Sequence, residues 1–438
     1  MIFYWDEFKQ NNFLDTEYLI ENRFSFLNYV WEPEHIITKD YDKPGIWFVQ
    51  WMGILDGIVG DLGDPNIPNV LRDRMPEHVK QGLVSHKIIM LVDNSLEGKD
   101  LEWGSIERIH EAMDYHSLPD NSICFITGSL NSEEVYIQQC QQHNTQPRVK
   151  FLYYDCTTYM DDRVWKSERM CIEYAVKNPR SKSFLSLNQT VKKHRMEHLM
   201  WLITNKYHTQ GTISGSWVRH GIMQDQEWRS SPFSKLIYLP EYLNHELLEV
   251  LHCNLPLQAD YDMTVSDNPD SLPDNLGYFN PELYKHSLLS FVTESEYPQD
   301  STFITEKTWK VLRAGHPFII LGSPLTVARL RELGFETDLC DIDHSYDNCH
   351  NHVLRFKQAH AQLEKWINTD SQKQRDLIIR DLPKLRHNFH LIAELMPHFD
   401  VLDPKTPEIE NSYLYQSLIK AKQTLEEHQV EHVKQANN

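Results

Sequence analysis

The feature that most constrains this chain is an alternation. Short runs rich in β-branched and aromatic residues are each followed by a stretch with helical spacing. Strands separated by helices of this length pair in parallel, because each crossover returns the chain to the same end of the sheet. In the first half, Ile46–Trp51 (IWFVQW), Lys87–Val92 (KIIMLV), Ser122–Thr127 (SICFIT) and Arg148–Tyr154 (RVKFLYY) read as strands. Ser105–His116 reads as a helix. Asn131, with Glu134 three residues on, reads as the capping box of another. The polar run Lys177–Lys182, which includes a proline, interrupts the pattern.

The alternation then restarts. Phe184–Asn188 (FLSLN) is a strand, and the helix after it carries Met196, Leu199, Met200 and Ile203 on one face. Lys235–Leu239 and Ser287–Val292 read as further strands. Thr305 caps a helix that Gly315 ends, His316–Leu321 (HPFIIL) is a buried strand, and Ser323 with Pro324 opens a helix closed by Gly334. Beyond it the pattern is helical over His350–Asn368, Ser371–Met396 and Ser412–Gln435. A chain of 438 residues has room for two or three domains of the usual ~100–200 residues. The expected class is therefore α/β: two Rossmann-like domains, 1–178 and 179–400, facing across a cleft, with a helical tail, 401–438. Ligands in such sheets bind at the carboxyl ends of the strands.

Composition narrows the function. Lys plus Arg is 43 and Asp plus Glu is 63, so the net charge is −20. An acidic chain is repelled by phosphate backbones, which argues against general nucleic-acid binding. With 16 glycines there is no G-x-G-x-x-G and no G-x-x-x-x-G-K-[ST], so any nucleotide must be held some other way. Met1–Trp5 is too short an apolar run for a signal peptide, and no stretch reaches the ~18 apolar residues of a membrane helix. The seven cysteines are odd in number and include no C-x-x-C. Reduced thiols, a cytoplasmic location and no membrane span are expected.

Two segments could carry chemistry. Lys192-Lys193-His194-Arg195 opens the helix after Phe184–Asn188. Cations there oppose the helix dipole at a cost of a few tenths of a kcal/mol each. Either an anionic ligand repays that cost or the patch is merely solvated. Thr305-Glu306-Lys307 also begins a helix. Lys307 could meet a phosphate and Glu306 could accept from ribose hydroxyls, or the segment is an ordinary capped helix with an incidental lysine.

The stretch Ser287–Pro324 resembles the signature of the α1,3-fucosyltransferase family. That family shows an F-E-N-S segment, then Y-x-T-E-K, an alanine-glycine helix end and a strand P-V-V-x-G-P. The matching pieces are Phe291, Glu294-Ser295, Thr305-Glu306-Lys307, Ala314-Gly315, Pro317 and Gly322. Phe184–Arg195 resembles the strand and arginine that precede the signature. The likeness covers about 140 residues of the C-terminal half. The family's asparagine is absent, and the gap from Ser295 to Phe303 is about three residues longer. The resemblance implies an inverting, metal-independent GT-B glycosyltransferase that moves a fucose-like sugar from a GDP-linked or related nucleotide sugar to a glycan or other hydroxyl acceptor. No cofactor is implied. Arg195 and Lys307, with Lys192 nearby, would neutralise the diphosphate. Glu306 and Thr305 would hold the donor's ribose side, Glu294 would lie near the sugar or ribose, and Phe303 would lie beside the base.

Inverting transfer needs a base to take the acceptor's proton. Glu97 is the first choice and Asp93 the second, both in the loop after KIIMLV; Asp56, Asp61 and Asp155 are further options. Asp260-Tyr261-Asp262 and Asp341-Ile342-Asp343 have the D-x-D form of metal-dependent transferases, but an Asp-rich chain produces such strings by chance. His344, Cys349, His350 and His352 lack a standard zinc spacing. Two rival functions remain: a glycosyltransferase acting on nucleic-acid bases, and a catalytically inactive nucleotide-sugar-binding protein.

Overall fold

The β-rich runs form two five-stranded sheets in a computed structural model of the chain. The structure describes residues 3–4, 45–50, 69–73, 75–94, 101, 103–153, 169–188, 192–215, 257–258, 279–297, 299–395 and 413–435. The chain divides into two compact units. Unit 1 comprises Met1–Thr157, Asp300–Phe303 and Pro407–Asn438; unit 2 comprises Thr158–Gln299 and Ile304–Thr406.

The sheet of unit 1 has strands β1 (Phe3–Tyr4), β2 (Gly45–Gln50), β3 (Ile88–Asn94), β4 (Ile123–Thr127) and β5 (Lys150–Tyr153) in sequential order, all parallel. Helices α1 (Val70–Asp73), α2 (Glu77–Val84), α3 (Trp103–His116) and α4 (Ser132–Gln142) connect them. Ile88 through Val92 are buried at every position, as expected of a parallel strand covered on both faces. The core is completed by Ile106, Ile109, Ala112 and Met113 of α3. β3 runs two residues further than its apolar run, so Asp93 lies in the strand rather than in the following loop.

Asn131 stands at the N-cap of α4, but its side chain makes no capping bond. Its Oδ1 instead accepts from Thr302 N at 2.8 Å, and its Nδ2 donates to Asp300 O at 3.4 Å. The expected capping box is lost because a longer-range partner takes the side chain.

Unit 2 holds α5 (Ile172–Ala175), β6 (Phe184–Asn188), α6 (Lys193–Thr204), β7 (Gly211–Gly215), β8 (Leu257–Gln258), α7 (Pro281–Lys285), β9 (Ser290–Thr293), α8 (Glu306–Ala314), β10 (Phe318–Leu321), α9 (Thr326–Glu332), α10 (His352–Ile367) and α11 (Ser371–Leu395). The strand order is β10-β9-β6-β7-β8, parallel except for the β7–β8 pair. The expected boundary at 178/179 falls inside this unit. Met170, Cys171, Ile172 and Ala175 are buried in its core, and Arg375 donates to Asn178 O at 3.0 Å. The polar run Lys177–Lys182 is therefore a turn of unit 2, and residues 407–438 go with unit 1 rather than forming a separate tail. The expected strand Lys235–Leu239 lies outside the described residues.

The α8–β10–α9 run follows its sequence signals in part. Thr305 caps α8, its hydroxyl accepting from Lys307 N at 3.4 Å, and Gly315 ends it with φ 69. A Cβ on Gly315 would stand 2.6 Å from Met170 Sδ, so this position demands glycine twice over. Ser323 does not cap α9. The carboxylate of Asp347 does so from twenty residues away, accepting from Val327 N at 3.0 Å and Ala328 N at 2.9 Å.

Candidate functional site

Unit 2's strand order locates a crevice before any side chain is considered. From β6 the chain moves to β7 on one side, and later places β9 on the other. The order reverses between β6 and β9, and such a switch point opens a ligand crevice at the carboxyl ends of its strands. Backbone pairing of β6 with β9 is registered at Leu185 and Ser290, near the start of each strand. At the carboxyl ends side chains take over: Thr293 Oγ1 donates to Asn188 Oδ1 at 2.6 Å.

That tie rests on a buried chain of hydrogen bonds. His360 Nδ1 donates to Phe356 O at 2.8 Å, which leaves its Nε2 to accept from His198 Nδ1 at 2.9 Å. His198 Nε2 accepts from Ser186 Oγ at 2.9 Å, and Ser186 Oγ accepts from Asn188 Nδ2 at 3.0 Å. Each donor in the sequence is fixed by the carbonyl at its end. Burial holds His360 down at about 3. Burial and then His360 hold His198 far below the ordinary histidine range, so both rings are neutral.

The first turn of α6 is fastened to the loop after β9. Lys192 Nζ donates to Ser295 O at 2.6 Å and pairs with Glu296 at 2.7 Å. His194 Nε2 donates to Glu294 O at 2.9 Å, and burial, then Arg195, keeps that imidazole neutral. Arg195, 2% exposed, donates through Nη2 to Thr293 O and Glu294 O, both at 3.1 Å. Burial lowers its pKa, opposed by Glu294, Glu306 and Glu296. The cations that oppose the dipole of α6 thus have protein partners. Arg195 is buried, and its Nη2 is committed to two backbone carbonyls at the end of β9.

α8 faces this turn. Lys307 Nζ donates to Ser295 Oγ at 3.1 Å and Thr305 Oγ1 at 3.3 Å, and pairs with Glu306 at 2.7 Å. Burial works against the charge of Glu306, but Lys307 and Lys310 hold its carboxyl below the ordinary glutamate range. Glu294 is fully buried. Its oxygens accept from Ser295 N and Thr305 N, both at 3.2 Å, from Thr308 Oγ1 at 2.5 Å, and from Thr305 Oγ1. It anchors the N-terminus of α8. A Cβ on Gly322 would sit 3.2 Å from its side chain.

Lys192 and Lys307 therefore meet at Ser295 from two helix N-termini, with side chains 32% and 26% exposed. Sequence reading picked out both lysines, Thr305 and Glu306. It missed Ser295 as their meeting point, and Glu296, Asn188, Thr293, His198 and His360, whose partners lie far along the chain. Phe303 is buried in the segment Asp300–Phe303 of unit 1. Glu97, Asp56, Asp61, Asp155 and Asp260–Asp262 lie outside the described residues, as does the side chain of Asp93. Asp341 pairs with Arg380 at 2.9 Å, and Asp343 accepts from Ser345 N at 2.8 Å. Among the described residues no three His, Cys, Asp or Glu side chains stand in position to hold a metal ion, and no helix is long and apolar enough to cross a membrane. Comparison with protein-family models, curated proteins and solved structures finds no match.

Proposed function

We propose that the protein is a nucleotide-sugar glycosyltransferase whose donor diphosphate binds at the β6/β9 switch point. The observation that carries this reading is the meeting of Lys192 and Lys307 at Ser295. Two partly exposed cations at two helix N-termini, at the carboxyl ends of parallel strands, make a site complementary to an anion. Glu306 stands beside them as an acceptor for ribose hydroxyls, while Thr305, buried and bonded to Glu294 and Lys307, holds the turn that presents it. The likeness of Ser287–Pro324 to the α1,3-fucosyltransferase signature supports a GDP-linked, fucose-like donor and inversion at the anomeric carbon.

In this reading the acceptor is a glycan or small hydroxyl compound, and Glu97, or else Asp93, takes its proton. Charge grows on the departing β-phosphate as the glycosidic bond breaks. Lys192 and Lys307 then bind the transition state more strongly than the ground state. Each must exchange its glutamate, Glu296 or Glu306, for the phosphate. Those same pairs favour a second reading, a protein that binds the nucleotide sugar without transferring it, because the lysines already carry partners.

One assay separates the two. Purified protein incubated with GDP-fucose and a hydroxyl acceptor is expected to release GDP and glycosylated product, undiminished in EDTA. Binding without release of GDP would select the second reading. Release that stops on chelation and returns with Mn²⁺ would overturn the assignment of diphosphate charge to the lysines.

A further inference from the structure

The C-terminal helix, Tyr413–Gln435, belongs to unit 1 and lies against β3 and β5. Among the side chains described, Leu425, Gln429 and His432, spaced i, i+4 and i+7, are its buried ones. His432 is 2% exposed, and its Nε2 is buried without a hydrogen-bond partner. Opposite it is His86, on the turn between α2 and β3, with the left-handed φ of 56 that side chains rarely adopt. Its Nδ1 is also buried and unpartnered. The two ring centroids are 4.4 Å apart, with planes inclined by 46°. His428, one turn earlier on the helix, lies 6.2 Å from His432 and donates through Nε2 to Asn121 O at 2.7 Å.

Three imidazoles thus gather where a distant piece of chain docks, and two of their nitrogens are dry. A buried nitrogen without a partner is costly, and a buried charge without a counter-ion costs more. The docked position of His432 therefore suits the neutral ring. We propose that His432, packed against His86, is an acid-sensitive clasp, which holds the C-terminal helix on unit 1 while its ring is neutral and releases the helix on protonation. This inference is independent of the proposed transfer activity.

The groups around the clasp offer no relief for a proton. Burial, then His86, then His428 hold His432 down at about 4. On β5, Lys150 is committed to Glu133 at 2.7 Å. On the turn Lys87 is exposed, as are Glu431 and Lys434 of the helix; on β3 the side chain of Asp93 lies outside the described residues. Released, His432 regains the ordinary histidine pKa of about 6.5. The docked helix therefore binds fewer protons than the released one. Docking is at full strength above about pH 6.5, weakens as the pH falls through that value, and goes on weakening to about pH 4.

Hydrogen exchange of the full-length protein, corrected for intrinsic rates, tests this between pH 7.5 and 4.5. Protection of amides in 413–435 is expected to fall by about tenfold per pH unit below pH 6.5, as for uptake of a single proton on undocking, while β9 and β10 keep theirs. His432→Phe retains an aromatic ring and is expected to flatten that dependence with the helix still protected at neutral pH. His432→Gln, which cannot titrate, gives the same flattening if the phenylalanine variant folds poorly. The proposal is overturned by protection that does not change with pH, or by a loss that is the same in wild type and variants. It is also overturned if one equivalent of Zn²⁺ at pH 7.5 raises protection in wild type alone, which would make the cluster a metal site.

Discussion

Glu294→Ala is expected to cost about 3–5 kcal/mol of stability, the range for removing one member of a buried charged network. The carboxylate is fully buried and accepts from four donors: Ser295 N, Thr305 N, Thr305 Oγ1 and Thr308 Oγ1. Truncation strands all four in the interior and leaves Arg195 without one of the carboxylates that favour its charge. Glu294→Gln keeps the volume but turns an amide NH₂ toward hydroxyl or N–H donors. An intermediate loss of about 1–3 kcal/mol follows. Urea unfolding of the full chain, with hydrogen exchange at β9 and α8 to assign the transition, measures both. A Glu294→Ala protein within 1 kcal/mol of wild type would show that the four bonds do not hold α8 in place.

The lysines are expected to behave in the opposite way. Lys192 and Lys307 are partly exposed, and their observed ion pairs are with glutamates they must release. Such pairs add roughly 0–1 kcal/mol to stability, so Lys307→Ala should fold normally. In the proposed transfer its kcat should fall roughly 100-fold, or ~2.7 kcal/mol at 1.36 per decade, with a smaller rise in donor KM. Lys192→Ala should follow the same pattern. Arg195→Lys should lose stability instead, because a flexible ammonium replaces the rigid buried guanidinium whose Nη2 bridges the carbonyls of Thr293 and Glu294. Steady-state kinetics beside urea unfolding distinguishes the two classes. A Lys307→Ala protein with wild-type kcat, or an Arg195→Lys protein of unchanged stability, would contradict the division between crevice and support.

What could be read from the chain follows the range of the interactions involved. Phe184–Asn188 is a strand over the residues its pattern marks, and Thr305 and Gly315 bound α8, because capping and left-handed turns are decided within three or four residues. The N-cap of α9 was misplaced because Asp347 supplies it across a loop, and Asn131 was misjudged because Thr302 takes its side chain. The lysines were legible as cations set against a helix dipole. Glu296, the partner of Lys192 about a hundred residues away, was not. His198 carries no local signal in the sequence; only the fold brings it to His360, 162 residues away. The division of the chain escaped for the same reason. A polar run with a proline marks a turn, and long-range burial of Met170–Ala175 decides which unit owns it.

The central claim is that the β6/β9 switch point binds a nucleotide diphosphate through Lys192 and Lys307. A thermal-shift panel of GDP-, UDP-, ADP- and CMP-sugars tests it most directly. Ligand at 100 times Kd adds about 2.7 kcal/mol to the stability of the folded state. For units of this size that raises Tm by roughly 5–10 °C. The account predicts such a rise with one nucleotide, GDP-sugar foremost, and its loss in Lys192→Ala/Lys307→Ala protein that melts at the wild-type temperature without ligand. A panel without any shift, or a shift of equal size in the double variant, would contradict it.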